Sequence, residues 1–271
     1  MSQGAQAGDA VAVIKIGGSI LTNSQAYRRA AKFIRNRHRA EPDERLVVVV
    51  SAQEGATDAL ERAARKIARQ PDAAALDLLW STGEIRSAAL LALHLQALGV
   101  PARALNIHEA GLKISEDSQD DRRVQLDPRR LLAVLAQHAV AVVPGFLAAD
   151  SRDTIISLGR GGSDLTAVLL AEGTGACRCE LIKDVPGYFT SDPHHDPTAR
   201  PIPHLTFEHA ISLSEAGCDL VQKKAVEAAA RCGLPLVVRS LDEAAPLSLI
   251  APRNSPFENG ENQELQEAVA P

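Results

Sequence analysis

Lys15 stands next to last in the apolar run VAVIKI, and Gly17, Gly18 and Ser19 follow that run at once. Glycines let a backbone approach an anion closely, the N–H groups of a turn point at it, and a lysine adds a point charge. The turn therefore reads as a phosphate cradle, with a plain tight connection as the alternative. Its order is neither G-x-x-x-x-G-K-[ST] nor G-x-G-x-x-G, so those two nucleotide fingerprints give no support. The run VVVVSAQEGATDAL repeats the arrangement: a strand ends at Ser51, passes Gly55 and enters a helix behind Thr57. Both loops would then gather hydroxyls and amides at the carboxyl edge of one sheet, where open α/β folds bind ligands. Helix capping by Ser51 or Thr57 is the structural alternative.

The stretch SLGRGGSD forms a third loop. Arg160 offers a planar fork suited to a carboxylate, while Gly161, Ser163 and the start of a helix add donors. Asp164, like Ser163, can cap that helix, or it can accept hydrogen bonds from an ammonium group. A carboxylate fork beside an ammonium acceptor describes an amino acid ligand; a capped helix with a surface arginine is the alternative. Glu84, in STGEIRSAALL, opens a helical segment whose later face is apolar, where a carboxylate also suits the helix dipole.

Short β-branched runs alternate with Ala/Leu-rich segments of helical period, the mark of a parallel sheet covered by helices. The expected strands are 11–16, 46–50, 102–107, 140–145, 179–184 and 234–240. Helices are expected over 24–40 and 56–70, from Pro128 with Asp127 as cap, and from Ser163 or Asp164. The segment 72–99 is long enough for two helices turning near Thr82 and Gly83. One domain over 10–251 follows, with 1–9 and 252–271 as flexible ends.

Aromatic residues make up 3% of the chain, a poor supply of stacking platforms, and the net charge is -5 with basic residues scattered. Nucleic acid is not expected as a partner. Neither a signal peptide nor a membrane span is legible, so no membrane association and a cytoplasmic address are expected. Cys177, Cys179, Cys218 and Cys232 match no zinc spacing and read as reduced thiols. Asp192, His194, His195 and Asp196 in SDPHHDP read as a solvated turn and not as a metal site. DSQDDRR reads as a solvated loop that could fold over the pocket as a lid.

In order along the chain, KIGGS, VVVSA…G.TD, S.GE..SA, GF, LGRGGSD, DVPG…TSDP…AR and LT..EA…AG resemble the amino acid kinase superfamily, and within it the catalytic domain of aspartokinases, from about Val11 to Val238. The resemblance implies a three-layer αβα sandwich with a largely parallel central sheet. It implies transfer of the γ-phosphoryl of ATP, with Mg2+, to the carboxylate of aspartate or a related amino acid, giving an acyl phosphate and ADP. Lys15 then looks like the lysine that neutralises the transferring group, Ser51, Thr57 and Glu84 like amino acid contacts, and Arg160 with Gly161, Ser163 and Asp164 like the carboxylate pocket. Phosphoryl transfer asks mainly for positioning and positive charge, and an ionised acceptor needs no general base.

The half up to about residue 145 is expected to hold the amino acid. The remainder is expected to hold the nucleotide, through Lys183, Asp184, Tyr188, Phe189, Asp192 and Lys223 together with Gly17, Gly18 and Ser19. A homodimer is a family-level expectation. The regulatory ACT domains of most aspartokinases are not in the sequence, so feedback inhibition through them is not expected. Rival readings are a kinase of the same fold acting on a phosphate monoester, such as a nucleoside monophosphate or isopentenyl phosphate, and a non-catalytic binding or storage member.

Departures from the family pattern cluster on the nucleotide side. Lys183 stands where aspartokinases have Thr or Ser, Phe189 replaces a tyrosine beside Tyr188, His194 replaces an arginine, and Asp219 replaces a nucleotide-binding lysine. Lys183, Lys223 or Lys224 is expected to supply the missing charge. After PGF the chain reads LAADSRDTII without the usual glycines and threonines, which leaves the acceptor open among aspartate's relatives.

Overall fold

The computed structural model describes residues 10–115, 123–159, 161–193 and 195–253. In chain order the first half contains β1 (Val11–Ile16), α1 (Ser24–Ala40), β2 (Arg45–Val50), α2 (Ala56–Ile67), α3 (Ala73–Ala97), β3 (Ala102–Ala104), α4 (Ile107–Ala110), β4 (Leu112–Ser115), β5 (Arg123–Leu126), α5 (Arg129–Leu135) and β6 (Val140–Pro144). The second half contains β7 (Leu147–Ala149), β8 (Ile155–Ser157), α6 (Gly162–Thr174), β9 (Cys179–Ile182), β10 (Tyr188–Phe189), β11 (Pro201–Ile202), β12 (His204–Leu205), α7 (Phe207–Glu215), α8 (Lys223–Cys232), β13 (Leu236–Arg239) and β14 (Ser248–Ile250).

The main sheet runs β12-β14-β13-β9-β1-β2-β6-β3, and β1, the strand that carries Lys15 next to its end, lies in its middle between β9 and β2. All of its pairings are parallel except β13 with β14. Alternation along β1 assigns its faces. Ala12, Ile14 and Ile16 pack with Tyr27 and Ile34 of α1 and Leu91 of α3, whereas Val13 packs with Ala167 and Val168 of α6 and Val226 of α8. These two cores make the molecule a three-layer αβα sandwich, and burying a residue such as Ile14 completely contributes roughly 1.5–3 kcal/mol. Lys15 shares the parity of Val13 and therefore faces α6.

A smaller sheet, β5-β4-β7-β8, and the hairpin β10-β11 were not expected from the sequence. Their strands are two to four residues long, too short for an alternating pattern to stand out. Among the described residues no helix is long and apolar enough to cross a membrane.

Several local expectations are corrected. The break expected near Thr82 and Gly83 does not occur: α3 runs 25 residues without interruption. Thr82 satisfies its hydroxyl on the Leu79 carbonyl at 2.7 Å, and Gly83 lies where a Cβ would come within 3.2 Å of the Ala52 side chain. This glycine permits close packing and does not end the helix. The strand expected over 102–107 stops at Ala104, because Asn106 and Glu109 form a capping box that starts α4. Neither Ser163 nor Asp164 caps α6; both are buried inside its first turns, behind Gly161 at φ +75°.

Candidate active site

Asp164 is 2% exposed and its two oxygens are divided between two lysines. Lys15 Nζ lies 2.8 Å from Oδ1 and Lys183 Nζ lies 2.8 Å from Oδ2. The backbone N–H of Gln222 also donates to Oδ2, at 3.4 Å. Burial alone would raise the Asp164 carboxyl, but the two ammonium groups outweigh it and hold the group well below the usual carboxylate range. Burial lowers the Lys183 ammonium, and Asp164 restores part of that. Two ammoniums against one carboxylate leave one net positive charge beneath the cleft floor. Asp164 is therefore engaged by lysines, which corrects its reading as a cap or as the acceptor of a ligand's ammonium.

The elements explain the meeting. Lys15 stands next to last in β1 and Lys183 follows β9, the neighbouring parallel strand, so both leave the same sheet edge. Asp164 comes down on them from α6. At Gly161 the left-handed φ excludes most side chains, and a Cβ would lie 1.9 Å from the Gln222 side chain, which fixes how closely α6 meets the start of α8.

Above this charge centre opens a cleft of about 520 Å³, lined by Lys15, Ser51, Thr57, Glu84, Gly161 and Ser163. It unites residues drawn from three separate glycine loops and from α3. Thr57 and Ser51 do not cap α2, whose N-cap is Gly55. Glu84 is 4% exposed, and its Oε2 has no partner. Burial pushes its carboxyl up to about 8, with the Ala52 backbone and Lys15 opposing the rise. A buried carboxylate with a free oxygen at a cleft wall is a place for an ammonium group.

The turn after β1 is not the start of α1, which begins at Ser24 behind an Asn23 cap. Gly17 sits beside the lysine, where a Cβ would meet Lys15 Nζ at 3.4 Å; at Gly18 a Cβ would be 2.7 Å from the Ala52 carbonyl oxygen. The N–H groups of Ile20 and Leu21 fold back on Gly17 and Gly18. Those of Gly18 and Ser19 find no backbone acceptor among the described residues.

The remaining nucleotide-side residues stand apart from the cleft. Asp184 is exposed, Tyr188 is buried in the core and Phe189 half-buried. Asp192 pairs with His195 at 2.7 Å. Lys223 turns to Glu215 and Glu227, and Lys224 lines a different groove with Glu227 and Arg231. Of the three lysines expected to supply charge, Lys183 reaches Asp164. Arg160 and His194 lie outside the described residues, as do residues 1–9, 116–122 and 254–271. Among the described residues, no group of three or more His, Cys, Asp or Glu side chains could hold a metal ion.

Sequence reasoning missed Trp80, Phe146 and Gln222, which also line the cleft. Trp80 and Phe146 meet edge to face at 6.0 Å. The signal for Trp80 was its place four residues before Glu84, one helical turn away on the same face; the expected break at residues 82–83 hid it. Phe146 follows the PG of the PGF motif at φ +69°, a conformation rare outside glycine and held here by its N–H on Thr166 Oγ1 at 3.1 Å.

Comparison with known proteins agrees with this geometry. An aspartokinase of Thermus thermophilus is 36% identical over 241 residues, covering 89% of this chain and 59% of the relative. The chain thus spans about three-fifths of the length of the curated relatives it matches. The aspartate kinase of Synechocystis superposes with a TM-score of 0.79 at 35% identity, over 90% of this chain and 40% of that one. Aspartokinase III of E. coli, crystallised with aspartate and ADP, superposes with a TM-score of 0.74 at 25% identity, over 92% and 66%. The model of the amino acid kinase family matches residues 10–240, and the chain belongs to that family.

Proposed function

We propose that this domain transfers the γ-phosphoryl group of ATP to the side-chain carboxylate of aspartate or a close relative, releasing an acyl phosphate and ADP. The observation that carries the reading is the Lys15–Asp164–Lys183 centre lying under the same cleft that Glu84 lines. The likeness to a protein crystallised with aspartate and ADP supports it.

In this reading an acceptor carboxylate oxygen attacks the γ-phosphorus, the bond from that phosphorus to the bridging oxygen of ADP breaks, and the electron pair leaves with ADP. Lys15 and Lys183 face the oxygens of the transferring group, where fixed positive charge in a buried site is most effective. Asp164 aims both ammoniums. Glu84 takes the acceptor's ammonium, Ser51, Thr57 and Ser163 contribute hydroxyls, and Arg160 takes its α-carboxylate. The residues through about 145 serve mainly the acceptor and the rest of 10–251 mainly the nucleotide, with Arg160 and Ser163 reaching back to the acceptor and the N–H groups of Gly18 and Ser19 free for phosphate oxygens. An uncommitted carboxylate, Asp219, on the cleft suits a Mg2+ ion that also draws on phosphates and water. When bound, Mg2+ neutralises phosphate charge. The reading takes the cytoplasm as its setting.

A phosphate monoester acceptor fits less well, because a dianion would face Glu84 and Asp58 in the cleft. The test is to incubate the protein with Mg-ATP, aspartate and hydroxylamine. Aspartyl hydroxamate is expected; ADP release only with a phosphorylated acceptor, or inertness towards a broad panel of acids, would overturn the reading.

We also infer a homodimer through α3. Leu78 and Leu93 are 59% and 60% exposed on its outer face, and with Thr82 and Ala89 they form a stripe symmetric about the bond between Ile85 and Arg86. Antiparallel contact with a second copy would set Leu78 against the partner's Leu93 and Thr82 against the partner's Ala89, as a two-fold interface requires.

A further inference from the structure

Asp219, an exposed residue on the link between α7 and α8, lines the cleft and has no hydrogen bond or ion pair among the described residues. The other carboxylates of the cleft are either paired or lie on the acceptor half of the chain. Asp164 holds the two lysines, Glu61 is bound by Arg65 at 2.7 Å, and Glu84 is buried with Lys15 nearby. Asp58 stands in the first turn of α2, where the helix N-terminus stabilises it, on the acceptor half of the chain. Asp219 is the free carboxylate on the nucleotide half. Three residues further on, the Gln222 N–H reaches Asp164, so the loop carrying Asp219 is tied to the charge centre itself.

A bare carboxylate facing a polyphosphate would repel it unless a cation intervened. We propose that Asp219 is a direct ligand of the divalent cation that accompanies the nucleotide. Magnesium is usually held by one or two carboxylates together with phosphate oxygens and water, which matches one free carboxylate beside an open cleft and no larger cluster of ligands among the described residues. The fixed cation stands at Lys183, on the far oxygen of Asp164 from Lys15, and position 219 attracts the nucleotide only through a metal.

The inference rests on the nucleotide reading above, and its test separates the two. ADP binding to the full chain is measured by calorimetry with Mg2+ and with a chelator, for the wild type, Asp219→Asn and Asp219→Lys. Water-proton relaxation of the Mn2+–ADP complex is recorded alongside. The gain in ADP affinity on adding Mg2+ is expected to shrink by about tenfold or more in the Asn variant. Its bound Mn2+ should carry more exchangeable water, and the Lys variant should bind metal-free ADP more tightly than the wild type. An unchanged Mg2+ gain and unchanged relaxation in the Asn variant would overturn the metal role while leaving the kinase reading intact. A wild type that binds no ADP with or without metal would overturn both.

Discussion

Lys15 and Lys183 approach one carboxylate from opposite oxygens, each 2.8 Å from Asp164, although one lies in β1, the other follows β9, and 168 positions separate them. Asp164 opposes the burial that lowers the Lys183 ammonium, and the two lysines together outweigh the burial that would raise Asp164. The centre is therefore a unit whose members fail together.

Asp164→Asn leaves two buried ammoniums without a counter-charge. Breaking a buried pair in this way costs about 3–5 kcal/mol, so a large fall in thermal midpoint at neutral pH is expected. The sign of the wild-type pH dependence follows from the depressed carboxyl. Its stabilisation is complete above the unfolded value near 3.8 and is lost as pH falls through the lower folded value. The wild type and the Asn variant should therefore converge only in strong acid; midpoints scanned from pH 7 downwards check this.

Glu84 titrates in the opposite sense. Its folded carboxyl is raised from 4.5 to about 8, so the empty site is least penalised below about pH 4.5 and loses stability as pH rises through 8. Glu84→Gln is expected to melt higher than the wild type at pH 8.5 and to match it more closely at pH 5. An ammonium ligand favours the ionised form, so wild-type affinity for aspartate should rise between pH 6 and 8 and then level off, a slope the Gln variant lacks. Calorimetric titrations across that range decide the matter.

Gly161→Ala places a methyl group at φ +75° and against Gln222. A loss of about 1–3 kcal/mol is expected from the strain, with weaker nucleotide binding because the Gln222 side chain must swing away from the cleft. Gly55→Ala has the same kind of φ, +72°, but open space around it. It should cost stability without touching nucleotide affinity.

The α3 pairing predicts a register. In a mixture of Leu78→Cys and Leu93→Cys chains, oxidation should yield a cross-linked heterodimer in preference to either homodimer, while Leu78→Glu should give a monomer by light scattering. Cross-linking of Leu78→Cys to itself would contradict the register, and a monomeric wild type would remove the interface.

What was legible in the sequence follows the length of its patterns. β1 was read at its true bounds because a six-residue run, apolar but for Lys15, stops at two glycines. α1 was read at its true bounds because Asn23 and a 17-residue amphipathic run mark them. The loops at Lys15, Ser51, Glu84 and Gly161 were expected to converge, and they line one cleft. Asp164 was read as a catalytic-site residue, but its pairing with Lys183 was not legible, since Lys183 follows β9, whose neighbour in the sheet is β1, a pairing no local pattern reveals. Gly83 was taken for a break because the Ala52 side chain that makes it useful is thirty-one positions away. Trp80 was lost with it.

The central claim is that Lys183 completes the charge centre that receives the phosphoryl group. Its most direct test is the steady-state rate of aspartyl phosphate formation by Lys183→Ala beside Lys223→Ala. Loss of a group stabilising the transition state predicts a fall in kcat of about 10²–10³ for Lys183→Ala, with KM for aspartate nearly unchanged and Lys223→Ala close to wild type. A Lys183→Ala enzyme that keeps its kcat while Lys223→Ala loses it would contradict the account.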